Sequence, residues 1–294
     1  MKLLLTVCIL SLFCITPAFA DLFGDLLGNA DKIIDAGKKI APALLKAAEE
    51  ITPEQEYYIG RSVAANVISQ YKVWDNPEAT TYINTLVHVL AAYSTRPETF
   101  GGYHALILDS DQINAFGAPG GLILVTRGML RNCSSETTVA AVLAHEIGHV
   151  QYQHGLKAIQ SSRMAGLGGA ILDVTTDNLN YSNSVVKDLT KSFTGALTDI
   201  TKTLISTGYS RDLETQADQG AVDILKGAGY NPSGLIEMLQ QMKKNLKPGG
   251  PDFAKTHPTP DQRIQVVSAK IGKPMPVDED PALTARFHAA LDGI

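Results

Sequence analysis

The stretch VAAVLAHEIGHVQYQH, residues 139–154, constrains this chain more than any other part of its sequence. His145 and His149 lie four positions apart, so on a helix they project side by side from successive turns. Only seven histidines occur among the 294 residues, and three of them lie in this stretch. Apolar residues at helical spacing predict that the stretch is a helix with one apolar face, formed by Val139, Val142, Leu143, Ile147 and Val150.

The histidine pair predicts a metal site. Two imidazoles at this spacing can share one Zn(II) ion, which takes nitrogen ligands at about 2.0–2.1 Å. Glu146 lies beside the pair rather than in line with it, where it can act as a general base. The three residues form the H-E-x-x-H pattern of zinc proteases, so we expect one zinc ion per chain. Because the pattern is short, a third ligand is required.

The third ligand is predicted on a second helix. A metzincin would carry a histidine six residues after the second one, but Gly155 occupies that position. The segment YSRDLETQADQGAVDIL provides Glu214, with Asp218 one turn later. Small residues that would allow a close approach of the two helices lie nearby: Ala217, Gly220 and Ala221. We expect Glu214 to bind zinc and Asp218 to orient a ligating histidine, the alternative being a solvated helix face.

Residues 103–130 have a composition typical of β-strands. HALILD and GLILVTRG are rich in Leu, Ile and Val, with Gly, Pro, Asn and Asp between them, and they predict a small antiparallel sheet. Helical patterns dominate elsewhere, so the fold class is mainly α with a small sheet (α+β). Between the strands, Asn114, Ala115 and Phe116 are expected to form an edge strand that a substrate joins by main-chain hydrogen bonds. The alternative is a structural turn, as Gly120–Gly121 would indicate.

Other candidate residues have simpler interpretations. His154 follows His149 by five residues, about 500° on a continuous helix, so we expect a packing or surface role. His88, His104 and His288 have no partner pattern. Cys133 precedes a helix start without the signature of a thiol protease.

The first twenty residues predict a secretory signal peptide. They have an early lysine, an apolar centre and a small-x-small ending at residues 18–20. A membrane anchor fits less well, because Pro17 and the small residues suit a cleavage region. A lipoprotein signal at Cys14 would carry a small residue where Phe13 stands. Cleavage would leave Cys133 alone, so no intramolecular disulfide is expected.

The net charge of -5 without a basic cluster argues against nucleic acid as a partner.

Four motifs together resemble the gluzincin family that includes CAAX prenyl endopeptidases and HtpX-type heat-shock proteases. The two zinc motifs described above, NAFGAPGG and THPTPDQRI occur in the family's order between residues 114 and 264. The resemblance implies a mainly helical metallopeptidase domain with a small sheet beside the zinc helix. Because the chain lacks the apolar runs of the membrane-embedded members, prenylated substrates are not expected. It looks most like the exported branch, which is associated with quality control of bacterial envelope proteins.

The resemblance also implies roles for the THPTPDQRI motif, whose histidine and arginine lie near the cleft in the family. Arg263 suits gripping a substrate carbonyl or a carboxylate of the site. His257 either donates a hydrogen bond to the oxyanion or occupies the fourth zinc position as a latch. A capping or packing role is the alternative.

We therefore expect a signal peptide at residues 1–20, an amphipathic helical segment at 21–54 and a zinc metallopeptidase domain at 55–294. The predicted function is an exported endopeptidase, periplasmic or secreted, that hydrolyses internal peptide bonds of envelope or misfolded proteins. Polypeptides are the expected substrates. The sequence does not decide whether the protein associates peripherally with a membrane or has outer-membrane assembly partners. Two alternatives are a zinc-dependent chaperone-like assembly factor with little proteolysis and a purely structural zinc site.

Overall fold

The computed structural model describes residues 50–161, 201–204, 208–245, 257–277 and 280–294. The helices with defined bounds are α1 (Pro53–Gln70), α2 (Pro77–Ala92), α3 (Arg127–Asn132), α4 (Glu136–Gln151), α5 (Arg211–Gly227), α6 (Ser233–Asn245), α7 (Pro260–Ile271) and α8 (Pro281–Leu291). The strands are β1 (His104–Leu108), β2 (Ala115–Ala118) and β3 (Leu122–Thr126), with a 3₁₀ turn at Pro119–Gly121 between β2 and β3. A further helix begins at residue 154 and reaches residue 161. The predicted signal peptide and most of the segment 21–54 lie outside the described residues.

Local capping chemistry sets the starts of α1 and α4. The Thr52 hydroxyl accepts the Gln55 N–H at 3.2 Å, and the Gln55 side chain accepts the Thr52 N–H at 2.9 Å. Ser135 and Thr138 cap α4 in the same reciprocal way. Each pair satisfies backbone donors that have no partner within the helix. In the described ranges, no helix combines the length and hydropathy needed to cross a bilayer.

The sheet is mixed, which corrects the predicted antiparallel arrangement. Its strand order is β1-β3-β2: β1 runs parallel to β3, and β2 runs antiparallel to it. The 3₁₀ turn folds β3 back against β2, and β3 then lies between β2 and β1 instead of extending the sheet beyond β2. Strand composition indicates that strands exist but not their order, so the sequence could not distinguish the two topologies. The central β3 is almost fully buried, and β2 lies at the edge that faces α4.

Helix α4 lies at the centre of the domain and is buried along its whole length, not only on the predicted apolar face. It packs most extensively against α5, and also against α2, α6 and β2. At the α5 contact, a Cβ added to Gly148 would lie 2.8 Å from the carbonyl oxygen of Ala217. The two backbones are therefore in direct contact. This close approach agrees with the small residues predicted around Glu214.

A buried carboxylate anchors the first turn of α4. Glu136 is fully buried and accepts hydrogen bonds from Tyr82 at 3.2 Å and Tyr230 at 2.7 Å. Arg286 of α8 completes the arrangement with two hydrogen bonds, one of them from Nε at 2.7 Å. A buried charge is tolerated only when it is paired and hydrogen-bonded. Glu136 therefore fixes the start of α4 relative to three other parts of the domain.

We expect Gly148→Val to separate α4 from α5 and to destabilise the protein. The added side chain would overlap the Ala217 backbone, and overpacking of this kind costs about 1–3 kcal/mol. The gain in helix propensity over glycine is smaller, below about 1 kcal/mol. Chemical denaturation measures the loss in unfolding free energy, with Ala65→Val on the exposed side of α1 as the control for added volume. A Gly148→Val protein as stable as wild type would contradict the close contact.

Candidate metal centre

Three parts of the chain converge on one buried cluster of potential metal ligands. Helix α4 contributes His145 and His149, α5 contributes Glu214, and the segment before α7 contributes His257. One potential ligand atom from each of the four lies within 4.8 Å of the other three. The Nε2 atoms of His145 and His149 are 3.2 Å apart, and each lies 3.5 Å from an oxygen of Glu214. The structure therefore brings together the three predicted ligands and the histidine of the THPTPDQRI motif.

The two histidine rings of the cluster need a proton or a metal ion between them. Two imidazole nitrogens at 3.2 Å repel each other unless a proton or a metal ion lies between them. Burial and the Arg263 charge lower the pKa of His145, but Asp218 and Glu214 raise it more, to about 9. In addition, Glu214 Oε1 is buried without a hydrogen-bond partner. Two imidazoles and a carboxylate are ligands that suit zinc, so the donor set fits the predicted ion. A metal that replaces the proton on His145 would bind more weakly as the pH falls.

Asp218 orients His145, and Arg263 in turn holds Asp218. The Asp218 carboxylate lies 3.0 Å from His145 Nδ1 and accepts two hydrogen bonds from Arg263, at 3.0 and 2.6 Å. Burial raises the pKa of Asp218, but the neighbouring Arg263 and His145 outweigh it and keep that pKa below its usual value. Of the two roles predicted for Arg263, the geometry matches contact with a carboxylate of the site. Arg263 lies behind the ligands, where it neutralises a buried charge.

The structure excludes the surface role expected for His154 and leaves the packing role open. His154 is fully buried, and its Nδ1 lies 2.9 Å from Nδ1 of His149. Its Nε2 lies 3.0 Å from Oε1 of Gln216 on α5. The prediction assumed one continuous helix, but α4 ends at Gln151, and Gln153 adopts a left-handed backbone with φ of 55°. This turn redirects the chain so that His154 returns to the metal-ligand cluster.

Tyr209 is a second residue that sequence reasoning missed. Its ring stacks on His149, with the ring centroids 4.5 Å apart and an interplanar angle of 21°. It packs against the face of a ligand ring and so limits its rotation. The only sequence signal was its position five residues before Glu214, which has no meaning until α5 is placed against α4.

Glu146 lies between the ligand cluster and the edge strand. Its carboxylate is buried and accepts a backbone hydrogen bond from Gly117 of β2, while Oε1 has no partner. Burial raises the pKa of Glu146 to about 7, with a further contribution from the negative charge of Glu214. A cation bound nearby would lower that pKa. Without a bound cation, the Glu146 carboxylate can therefore exchange a proton near neutral pH.

The edge strand has the predicted place but different side-chain surroundings. A Cβ added to Gly117 would lie 2.6 Å from the backbone oxygen of Glu146, so β2 contacts α4 directly. However, Asn114, Ala115 and Phe116 are all buried. The Phe116 ring packs near Tyr71 in an apolar cluster, so its side chain faces the interior. What β2 can offer a substrate is its backbone.

His257 is held against Glu214 by a hydrogen bond from Nδ1 to Oε2 at 2.6 Å. Burial lowers the pKa of His257 to about 4, despite the nearby carboxylate. The imidazole is therefore neutral at neutral pH, and its single proton lies on Nδ1, which donates to Glu214. Nε2 then carries a lone pair. In this state the imidazole has one lone pair that a metal could use and no second N–H to donate.

Comparison with known protein families identifies the same region. The sequence profile of peptidase family M48 matches residues 77–271. That range contains all four members of the ligand cluster as well as Glu146, Asp218 and Arg263.

Individual relatives are more distant. The chain is 25% identical over 261 residues to the beta-barrel assembly-enhancing protease of Escherichia coli K12, covering 85% of this chain and 48% of that protein. It is 26% identical over 162 residues to metalloprotease YcaL of the same organism, with 55% and 59% coverage. It is also 26% identical over 166 residues to the mitochondrial metalloendopeptidase OMA1 of Arabidopsis thaliana, covering 56% of this chain and 31% of that protein. The chain thus spans about half the length of the assembly-enhancing proteases that it matches.

Asp218→Ala is expected to weaken zinc binding by about 10–100-fold, the usual effect of removing a residue that orients a metal ligand. The change frees His145 to rotate and leaves Arg263 without its buried counter-charge. Competition titration against a chelator measures the affinity. Asp223→Ala is the matched control, because Asp223 lies on the same helix but pairs with Lys270 at the surface. Equal zinc affinities of the two variants would show that Asp218 does not orient a ligand.

Proposed function

Because the chain belongs to peptidase family M48 and is therefore a metallopeptidase, we propose that it is a zinc-dependent endopeptidase that hydrolyses internal peptide bonds. The observation that carries this proposal is the buried cluster of His145, His149 and Glu214, with Glu146 beside it. Its substrates are polypeptides. A binding role would not require a carboxylate beside the ligands.

We assign zinc to His145, His149 and Glu214, one ion per chain. When bound, zinc would supply Lewis-acid chemistry, polarising the scissile carbonyl and lowering the pKa of a coordinated water toward about 7. Three protein ligands leave one position open for this chemistry. The Asp218 contact supports the assignment, because it fixes the ring of His145 with Nε2 directed into the cluster.

Glu146 is assigned as the general base. It takes a proton from the attacking water and later delivers that proton to the leaving amine. The unpartnered Oε1 of Glu146 supports this role, because a buried carboxylate oxygen without a donor is free to accept one. The Gly117 N–H holds the carboxylate toward β2 and keeps it beside the ligands without joining them.

Substrate is proposed to bind as an extended strand along the outer edge of β2. The support is the position of that edge next to Glu146, at the contact between Gly117 and α4. Main-chain hydrogen bonds provide affinity in this mode and depend little on substrate sequence. Because Phe116 faces the core, selectivity would come from groups elsewhere along the cleft.

Envelope or misfolded proteins of the periplasm are the proposed substrates. The predicted signal peptide at residues 1–20 supports export. The name of the Escherichia coli relative links that protein to β-barrel assembly, and on that basis we propose substrates or partners connected with the outer membrane for this chain as well.

Glu146→Gln should abolish proteolysis while leaving zinc content and folding unchanged. The amide has nearly the same shape but cannot accept the proton of the attacking water. Digestion of casein, measured together with zinc per chain, tests this expectation. Glu54→Gln at an exposed position of α1 is the matched control.

The result also separates the proposed function from its alternative. If Glu146→Gln stops casein cleavage but retains full biological activity, the chain acts as a zinc-dependent assembly factor rather than as a protease. If neither the wild-type protein nor His257→Ala, each with one zinc per chain, cleaves casein or other unfolded proteins, the endopeptidase proposal is wrong.

We assign His257 to the fourth zinc position as a latch, in preference to the oxyanion role. The support is its neutral imidazole, whose Nδ1–H is already donated to Glu214. Four protein ligands would leave no room for water, so the site would be closed until His257 moves away.

His257→Ala is therefore expected to raise the basal rate of casein cleavage. His288→Ala is the control, because His288 lies exposed on α8. A fall in kcat of about 100-fold or more would instead assign His257 to the oxyanion. A loss of folding without any gain in activity would favour a structural zinc site with four permanent ligands.

A further inference from the structure

The two histidines of the metal cluster are supported in different ways. His145 contacts a carboxylate, Asp218, whose charge is balanced by Arg263. Among the described residues, the group in contact with Nδ1 of His149 is the ring of His154. An imidazole that binds a metal through Nε2 needs an acceptor for its Nδ1 proton. The acceptor for His149 is therefore His154.

Gln216 determines which nitrogen of His154 can accept this proton. The amide oxygen of Gln216 accepts from Nε2 of His154 at 3.0 Å. A neutral imidazole carries one proton, so Nδ1 of His154 is left with its lone pair. That lone pair faces Nδ1 of His149 at 2.9 Å. The proton of His149 is then on Nδ1, and its Nε2 is free for the metal.

The backbone before His154 is shaped to make this contact. Gln153 is the only non-glycine residue with positive φ among the described residues, and its side chain is exposed. Left-handed backbone is unfavourable for such a residue and persists where the surrounding structure requires it. Here it turns the chain between α4 and the following helix and directs His154 back toward His149. Tyr152 stacks on the ring of His154, at a centroid distance of 5.8 Å.

We propose that His154 and Gln216 are positioning residues that hold His149 in the tautomer and orientation that bind zinc, through the chain Gln216–His154–His149. This inference rests on the proposed zinc site. It adds two residues outside the H-E-x-x-H motif to the support of the ion. It also makes the end of α4 part of the metal centre, because the turn at Gln153 determines whether His154 reaches His149.

The test is zinc affinity of the full chain, measured by competition titration against a chelator. His154→Phe keeps an aromatic ring of similar size but removes the acceptor, and we expect it to bind zinc about 10–100-fold more weakly. Gln216→Met should also weaken binding, whereas Gln216→Glu retains an acceptor oxygen and should bind at least as tightly as wild type. Gln153→Gly, which adopts the same backbone without strain, should leave the affinity unchanged.

Zinc affinities of His154→Phe and wild type within twofold would overturn the proposal, because packing alone would then explain His154. If His154→Phe does not fold, the Gln216 pair decides: equal affinities of Gln216→Met and Gln216→Glu would overturn the proposal, and the expected difference would support it. His149→Ala separates this inference from the proposed function. Loss of zinc in His149→Ala with normal binding by His154→Phe refutes only the inference, whereas zinc retained in His149→Ala refutes the site itself.

Discussion

The contact between α4 and α5 is the interaction on which the metal cluster depends. Glutamate is a short ligand, so Glu214 reaches His145 and His149 only if the two helices touch backbone to backbone. Gly148 makes this possible, because any side chain there would meet the carbonyl of Ala217. The same contact places Asp218 against His145 and Gln216 against His154, one helical turn or less from Glu214. Three of the four potential ligands, together with Asp218 and Gln216, are thus positioned by a single helix pair.

Burial of α4 along its whole length imposes a second requirement. Every polar side chain on such a helix must find a partner inside the protein. Glu136 meets Tyr82, Tyr230 and Arg286 at one end of the helix, and Gln151 accepts from Thr95 near the other. Between them, the histidines of the cluster are satisfied by one another, by Glu214 and by the ion proposed to bind them. The first and last turns of the helix are therefore fixed by polar contacts, which leaves the ligands little freedom to shift.

Much of the site followed from spacing along helices. His145 and His149 could be paired because four residues complete about one turn, and Glu214 with Asp218 follows the same rule. The edge strand before α4 was also placed correctly, although the strand order was not. The inference that failed had assumed that the α4 helix continues past its actual end at Gln151. His154 was placed away from the ligand cluster because α4 was extended past Gln151.

By itself the sequence determined the metal-binding motif, the starts of the capped helices and the candidate ligands, because these depend on residues only a few positions apart. Tertiary structure decided which polar groups face one another over longer separations. It placed β3 between β1 and β2, paired Arg263 with Asp218, and brought His154 against His149 through the left-handed turn at Gln153. These outcomes depend on how the helices and strands pack against one another. A buried charge or imidazole can pair only with a group that this packing brings within hydrogen-bonding distance.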